Sequence, residues 1–280
     1  MRSWAMASWI VLGLALIGQT GTTGEKDKGA PITISYHGQS FFILTTSKGK
    51  RIAFDPHFIT QYSRTDSGRT EEGLKADICL ISHNHNDHTR VQVLENFRDK
   101  GDKGVKVIRG LKGESLKADW AVVNETIGDI TIKSVSVYHD DSEGLIRGKN
   151  TIFIVEVDGW RVVHLGDLGH LLSPATVKRI GKVDVLMIPC GGIYTLNGSE
   201  AKQVMAQLKP KEYVFPMHYG TELFKDILPV DEFIDGQEKR NVAVSDHNVL
   251  QLNRDPQRPR PLTVQLNIWP KEKKDVKKAN

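Results

Sequence analysis

The strongest chemical signal in this chain is the run Ser82-His83-Asn84-His85-Asn86-Asp87-His88, which follows the apolar stretch Ile78–Ile81. Three imidazoles and one carboxylate fall within six positions, where a buried strand gives way to a loop. Alternation along an extended backbone puts His83 and His85 on the same side, so both rings can reach one cation. The turn that follows can redirect Asp87 and His88 toward a second cation nearby. Nitrogen and carboxylate donors without thiolate suit zinc, and also manganese or iron.

This spacing closely resembles the His-x-His-x-Asp-His motif of the metallo-β-lactamase fold superfamily. The resemblance implies a third His for the first ion, a bridging Asp, and a further His for the second ion, in that chain order. The chain has each at a strand end: His139 in Val137-Tyr138-His139-Asp140, Asp167 in His164-Leu165-Gly166-Asp167, and His218 in Pro216-Met217-His218-Tyr219-Gly220. Carried over on that basis, His83, His85 and His139 hold one divalent ion. Asp87, His88 and His218 hold the other, and Asp167 bridges them. Asp55, in Phe54-Asp55-Pro56, looks like the superfamily's buried Asp that orients the motif loop.

Further tracts narrow the resemblance. Tyr36-His37-Gly38-Gln39-Ser40-Phe41, Phe54-Asp55-Pro56, Pro189-Cys190-Gly191-Gly192-Ile193-Tyr194-Thr195 and Leu208-Lys209-Pro210-Lys211 are similar to the branch around L-ascorbate-6-phosphate lactonase. His37 departs from that branch by preceding the hairpin glycine instead of following it. The N-acyl-phosphatidylethanolamine phospholipase D branch also has Ser-His-Asn-His before its Asp-His, but the tract after Asp167 fits the lactonase-like branch better. On this resemblance Tyr194 occupies the place of a Tyr that donates to the substrate carbonyl or leaving oxygen. His37 and His164 are expected to support the ligands from behind. Arg64, Arg69, Arg147 and Lys149 lie in loops expected to rim the pocket, and Arg147 and Lys149 are the candidates for holding a phosphate or carboxylate.

Two divalent cations about 3.5–4 Å apart share a water and bring its pKa toward 7. The chemistry implied is attack by a metal-bridging hydroxide, with Asp87 accepting a hydrogen bond from the nucleophile and shuttling its proton. A bridging Asp at position 167 is unlike the superfamily members that open β-lactams, which often have Cys there. Flavin-linked oxygen or nitric oxide reduction is disfavoured because the second motif His is not Glu. The expected function is therefore a secreted dinuclear metal-dependent hydrolase acting on a small lactone or ester. The alternative is a phosphodiesterase for a nucleotide or glycerophosphodiester head group. From a different class comes a non-catalytic metal-binding or ligand-sensing module.

The elements that must position these residues can be read from periodicity. Ile32–Tyr36, Ser40–Thr45, Arg51–Phe54, Ile78–Ile81, Val105–Arg109, Ala121–Val123, Ile130–Val137, Thr151–Val157, Arg161–Leu165, Val183–Ile188 and Tyr213–Pro216 read as strands. Val91–Phe97 shows helical spacing behind Thr89, a candidate N-cap. Pro174–Ile180 reads as a helix capped by Ser173 with Pro174 at its first position, and Ser199–Leu208 as another. Strands dominate the first half and strand–helix alternation the second, which predicts an α/β fold of two stacked sheets with helices outside, a four-layer αββα sandwich.

Composition sets the outer limits. The 280 residues, 39% hydrophobic and 26% charged, suit one globular domain and exclude wholesale disorder. Cys79 and Cys190 both lie in apolar runs, which excludes a disulfide scaffold and any multi-cysteine zinc site. The formal charge of +4 is concentrated in residues 271–280, where five Lys face Glu272 and Asp275, so no nucleic-acid partner is expected. Arg2 precedes an apolar run from Trp4 to Ile17, followed by small residues to Gly24. That run is shorter than the ~20 residues a bilayer span needs and reads as a secretory signal peptide over 1–24. The mature domain then covers 25–280, with a frayed tail at 271–280, in a secreted or bacterial periplasmic setting without a stable membrane span; the alternative is an uncleaved signal anchor.

Overall fold

The computed structural model describes residues 30–57, 74–101, 104–115, 117–222 and 224–267. The leader at 1–24, the basic tail at 271–280, and Arg64 and Arg69 lie outside the described residues.

Two mixed sheets form the body. The first is built from Ile32–Tyr36 (β1), Phe42–Thr45 (β2), Arg51–Phe54 (β3), Ile78–Ile81 (β4) and Lys106–Arg109 (β5). The second begins with Asn124–Ile127 (β6), Ile130–Tyr138 (β7), Lys149–Val157 (β8) and Trp160–His164 (β9), then continues through Val185–Pro189 (β10) and Tyr213–Met217 (β11). Three late strands, Val242–Ser245 (β12), Val249–Leu252 (β13) and Leu262–Leu266 (β14), were not evident from periodicity. The strand orders are β13-β1-β2-β3-β4-β5 and β12-β14-β11-β10-β9-β8-β7-β6. Because β13 pairs antiparallel with β1 while β12 and β14 extend the second sheet, the C-terminal segment closes both sheets.

Side-chain alternation explains the stacking. Phe42, Leu44, Ile52, Phe54, Ile78 and Leu80 point into a core shared with Ile132, Ile154 and Val163 of the second sheet. Their neighbours Ile43, Ala53, Cys79 and Ile81 point outward and are covered by Leu74, Val91 and Leu94. β4 is thus buried on both faces, as its unbroken apolar run predicts. Pro174–Ile180 (α1) and Gly198–Leu208 (α2) pack on the second sheet. Ser173 caps α1 by accepting from the Thr176 N–H. Asn197 and Glu200 form a reciprocal capping box at the start of α2, whose Ala201, Val204 and Leu208 make the buried stripe.

Two expectations are corrected. The segment expected as a helix over Val91–Phe97 forms two short 3-10 turns, Val91–Val93 and Glu95–Arg98, and Thr89 caps neither. Its polar groups are used elsewhere: the Glu95 N–H donates to the Leu74 carbonyl, and the Asn96 amide pairs with both backbone groups of Ala76. Those bonds compete with the i→i−4 ladder, and Leu94 goes extended to enter the core. Ala121–Val123 is also not a strand. Trp120 makes a single bridge to Leu111, and the strand begins at Asn124, where the chain turns through Gly128 to pair with β7.

Candidate metal centre

Every residue of the expected ligand set sits at the carboxyl end of a strand or in the loop that follows. Asp55 follows β3, His83 to His88 follow β4, His139 follows β7, Asp167 follows β9, and His218 follows β11. The two sheets bring these ends to one edge of the sandwich. There the side chains form two adjacent sets with ligand atoms within 4.8 Å of one another: His83, His85 and His139 in one, and Asp87, His88, Asp167 and His218 in the other.

Asp167 Oδ2 is the hub. It lies 3.0 Å from His88 Nε2, 3.2 Å from His218 Nε2, 3.3 Å from His139 Nε2 and 3.9 Å from His83 Nε2. Asp87 Oδ2 closes the second set, 3.4 Å from His88 Nε2 and 3.6 Å from His218 Nε2. In the first set His83 Nε2 and His85 Nδ1 are 3.0 Å apart. The other oxygen of Asp167, Oδ1, accepts from the Ser40 hydroxyl at 3.2 Å, which fixes the carboxylate with Oδ2 toward the imidazoles.

The ring orientations are set from behind. His83 Nδ1 lies 2.9 Å from Ser82 Oγ, and that hydroxyl donates to Asp55 Oδ2 at 2.6 Å. Asp55 also accepts from the Ser82 N–H and stands 3.0 Å from His88 Nδ1. The arrangement puts a proton on Nδ1 of both rings and leaves both Nε2 lone pairs for a cation. Asp55 lies close enough to His83 and His88 to be counted with them as a ligand group, but its carboxylate is already committed to these bonds. His164 does what its position next to Asp167 suggests. Its Nε2 donates to the Ser40 carbonyl and its Nδ1 accepts from the Gly166 N–H, so it pins the hairpin to the Asp167 turn.

Several supporting residues were not singled out from sequence. Asn150, fully buried in β8, donates to the Leu165 carbonyl and accepts from the Asp167 N–H. Gln39 offers its carbonyl to the His218 N–H. Asp140 is buried and accepts from the backbone N–H groups of Ser142, Gly144, Ile146 and Arg147. Burial alone would raise the Asp140 pKa, but those four donors hold it below the usual carboxylate range. A polar residue inside an apolar run, as Asn150 is in Lys149–Val157, is the signal that could have found the first of these.

Backbone strain is concentrated here. Gln39, Asp55 and His218 all adopt left-handed conformations, with φ of 48°, 45° and 47°. Gly191 explains part of the packing: a Cβ there would lie 2.1 Å from the His218 carbonyl oxygen. The missing side chain at Gly191 therefore lets the loop after β10 approach the His218 backbone.

Two expected residues do not belong to the centre. His37 turns its Nε2 to Ser35 Oγ and packs its ring on Phe41, and the hairpin reaches the site through Gln39 and Ser40 instead. Lys149 opens β8, where its ammonium pairs with Asp119 over the Trp120 ring. In the two-residue alternation of that strand, Asn150 takes the inward position. Arg147 and Tyr194 do line the cavity of about 420 Å³ above the ligands, together with Asp226. Arg147 donates to the Ile193 carbonyl at 2.8 Å and lies over the Tyr194 ring.

The donor set fits a metal. His88 Nε2 is fully buried beside Asp167 and has no well-directed hydrogen-bond partner among the described residues, while its Nδ1 is already used on Asp55. Burial first, then the neighbouring rings, holds His83 and His85 below the ordinary imidazole value, so both are neutral ligands near pH 7. Burial opposes charge on His88 and His218 too, but Asp167 and Asp87 outweigh it and raise both. In turn, burial would raise Asp167 and Asp87, yet the facing imidazoles hold both well below the carboxylate range. The metal-free stabilisation from the raised pair is thus present at low pH and lost as pH rises through their shifted values.

A cation must displace those protons. Its apparent affinity is expected to fall as pH drops from about 8 to about 6, with protons released on binding. Calorimetric titrations in buffers of different ionisation enthalpy test this, and an affinity independent of pH without proton release would contradict it.

Comparison with known proteins agrees with this geometry. The family described as "Beta-lactamase superfamily domain" matches residues 33–218. A UPF0173 metal-dependent hydrolase of Thermococcus kodakarensis is 30% identical over 198 residues, covering 68% of this chain and 85% of the relative. A UPF0173 protein of Pyrococcus furiosus is 31% identical over 210 residues, covering 72% of this chain and 89% of the relative. Among solved structures, a Thermotoga maritima protein described as a Zn-dependent hydrolase of the metallo-beta-lactamase superfamily superposes with a TM-score of 0.60 at 29% identity. That match covers 84% of this chain and 100% of the other. The match spans every strand that carries a ligand of the centre, and the chain belongs to the metallo-β-lactamase superfamily as one of its metal-dependent hydrolases.

Proposed function

We propose that the centre holds two divalent cations, zinc foremost and manganese or iron as alternatives, and hydrolyses a small lactone or ester. His83, His85 and His139 would hold one ion and Asp87, His88 and His218 the other, with Asp167, which also faces His83 and His139, available to either. Bound there, the ions would supply Lewis acidity and lower the pKa of a water, the source of the nucleophile. The chain's own residues do the rest. Asp87, anchored through His88 and His218, accepts the proton of the attacking water. Tyr194, on the cavity wall, donates to the carbonyl or leaving oxygen. Arg147 orients the substrate from the rim.

The observation that carries the ester reading over the phosphodiester one is the makeup of that wall. Among the described residues Arg147 is the one Lys or Arg lining the cavity, and the acidic Asp226 lines it as well. Lys149, the second cation expected to hold a phosphate, is committed to Asp119. The resemblance of the hairpin and of the Pro189–Thr195 tract to the lactonase-like branch supports the same choice. The leader reading of residues 1–24 makes this a reaction outside the cytoplasm, as part of the same proposal.

The test is a parallel assay of zinc- or manganese-loaded protein on a lactone and ester panel and on a chromogenic phosphodiester. Lactone or ester opening that disappears in Asp167→Ala is the expected result. Cleavage of the phosphodiester alone would replace the proposal.

A further inference from the structure

Large apolar side chains are exposed around the cavity mouth. Leu145 is 88% exposed, Ile146 66%, Ile193 54% and Leu228 43%, and the Tyr194 ring is 41% exposed beside them. They come from three segments that meet at one place. Leu145 and Ile146 directly precede Arg147, whose guanidinium is bonded to the Ile193 carbonyl and lies over Tyr194. Leu228 donates its N–H to the Gly191 carbonyl, and its side chain lies against Gly192. Arg147 and Tyr194 line the cavity itself, so the apolar rim is continuous with the reaction chamber.

Two features show that this display is built. The 141–147 loop is held by the buried Asp140 carboxylate through four backbone N–H groups, so Leu145 and Ile146 sit on an ordered support. Ile193 has a φ of +55°, a conformation in which a β-branched residue is an outlier and glycine would be at ease. The backbone there is strained in order to present an isoleucine to solvent.

From this rim we infer that the substrate is amphiphilic: its reacting group enters the cavity, and an alkyl or acyl chain lies across Leu145, Ile146, Ile193 and Leu228. The inference rests on the ester-cleaving reading of the same centre. A second copy of the chain is a poorer occupant, because a partner seated on these side chains would cover the mouth that substrate must use.

The test is calorimetric binding of butanoate, hexanoate and octanoate, the carboxylate products of graded esters, to the zinc-loaded full chain. Full burial of a methylene strengthens binding about fourfold, and a half-covered chain on an open rim should give about twofold per methylene. Octanoate should therefore bind roughly sixteenfold tighter than butanoate. The dependence on chain length should collapse in the double variant Leu145→Ser, Ile146→Ser, whose positions are too exposed to disturb folding. Ile193→Gly should bind octanoate more weakly while melting at a higher temperature, a pairing that a purely structural role for Ile193 would not produce.

Equal affinity along the series, or a slope unchanged in both variants, would overturn the inference. So would a flat series in a wild-type dimer that the double variant makes monomeric, since that assigns the rim to a second copy. Turnover of the matching esters separates the two claims. Chain-length-dependent binding without any ester turnover leaves this inference standing and removes the ester reading. Turnover of short esters with a flat binding series does the reverse.

Discussion

Replacing Asp167 by alanine is expected to abolish uptake of one of the two proposed ions and to lower turnover by about a thousandfold, roughly 4 kcal/mol of barrier. The size of the effect follows from the hub geometry. Four imidazole Nε2 atoms, from His83, His88, His139 and His218, lie within 3.9 Å of Asp167 Oδ2, and no other described carboxylate reaches all four. Asp87 stays beside His88 and His218 but at 3.4 and 3.6 Å, and it is partly open to solvent. In metal-free protein the same change removes the main partner of the two raised imidazoles, so His88 and His218 should lose protons at lower pH. Metal analysis of the purified variant and its turnover on the best panel substrate check the prediction. Retention of two ions and wild-type turnover would take Asp167 out of the centre.

The second large effect is expected from Gly166→Ala, although Gly166 is not itself a ligand. Gly166 has a φ of +55°, and a Cβ there would lie 2.3 Å from Asn150 Oδ1 and 2.8 Å from Ser82 Cβ. Asn150 is the residue that pins the Asp167 N–H, and Ser82 links Asp55 to His83, so neither can retreat without disturbing ligands. Left-handed strain and overlap with a buried, hydrogen-bonded neighbour together should destabilise the fold by about 3 kcal/mol. For a domain of this size that is a drop in melting temperature of roughly 6 °C. Thermal unfolding of the metal-free proteins measures it directly. A drop of no more than about 2 °C would mean that the turn relaxes freely, contrary to the packing described.

How much of this was legible beforehand can be traced residue by residue. β1, β3, β4 and α1 have the boundaries expected from periodicity, because each is a short apolar run ended by a turn residue or a cap. The candidate cluster was legible because metal chemistry tolerates few residue types and each of its residues follows a strand. The late strands β12 and β13 were missed because they are half-exposed and gain their stability from pairing across long sequence separations, as β13 does with β1. Long-range pairing also hid Asn150 and Gln39, whose bonds to Asp167 and His218 bridge 17 and 179 positions respectively. Lys149 was misplaced for a related reason: one step of strand register decides whether a residue faces the core or its other side. His37 was a candidate through the resemblance of its hairpin to the lactonase-like branch, while the group of that hairpin that reaches the centre is the hydroxyl of Ser40.

The most direct test of the central claim is turnover of an ester or lactone substrate measured while zinc is added stepwise to metal-free protein. If His83, His85 and His139 hold one ion and Asp87, His88 and His218 the other, as proposed, activity should stay low through the first equivalent, rise with the second and then level off. Full turnover without added metal, or saturation at two equivalents with no turnover of any panel substrate, would contradict a two-ion hydrolytic centre.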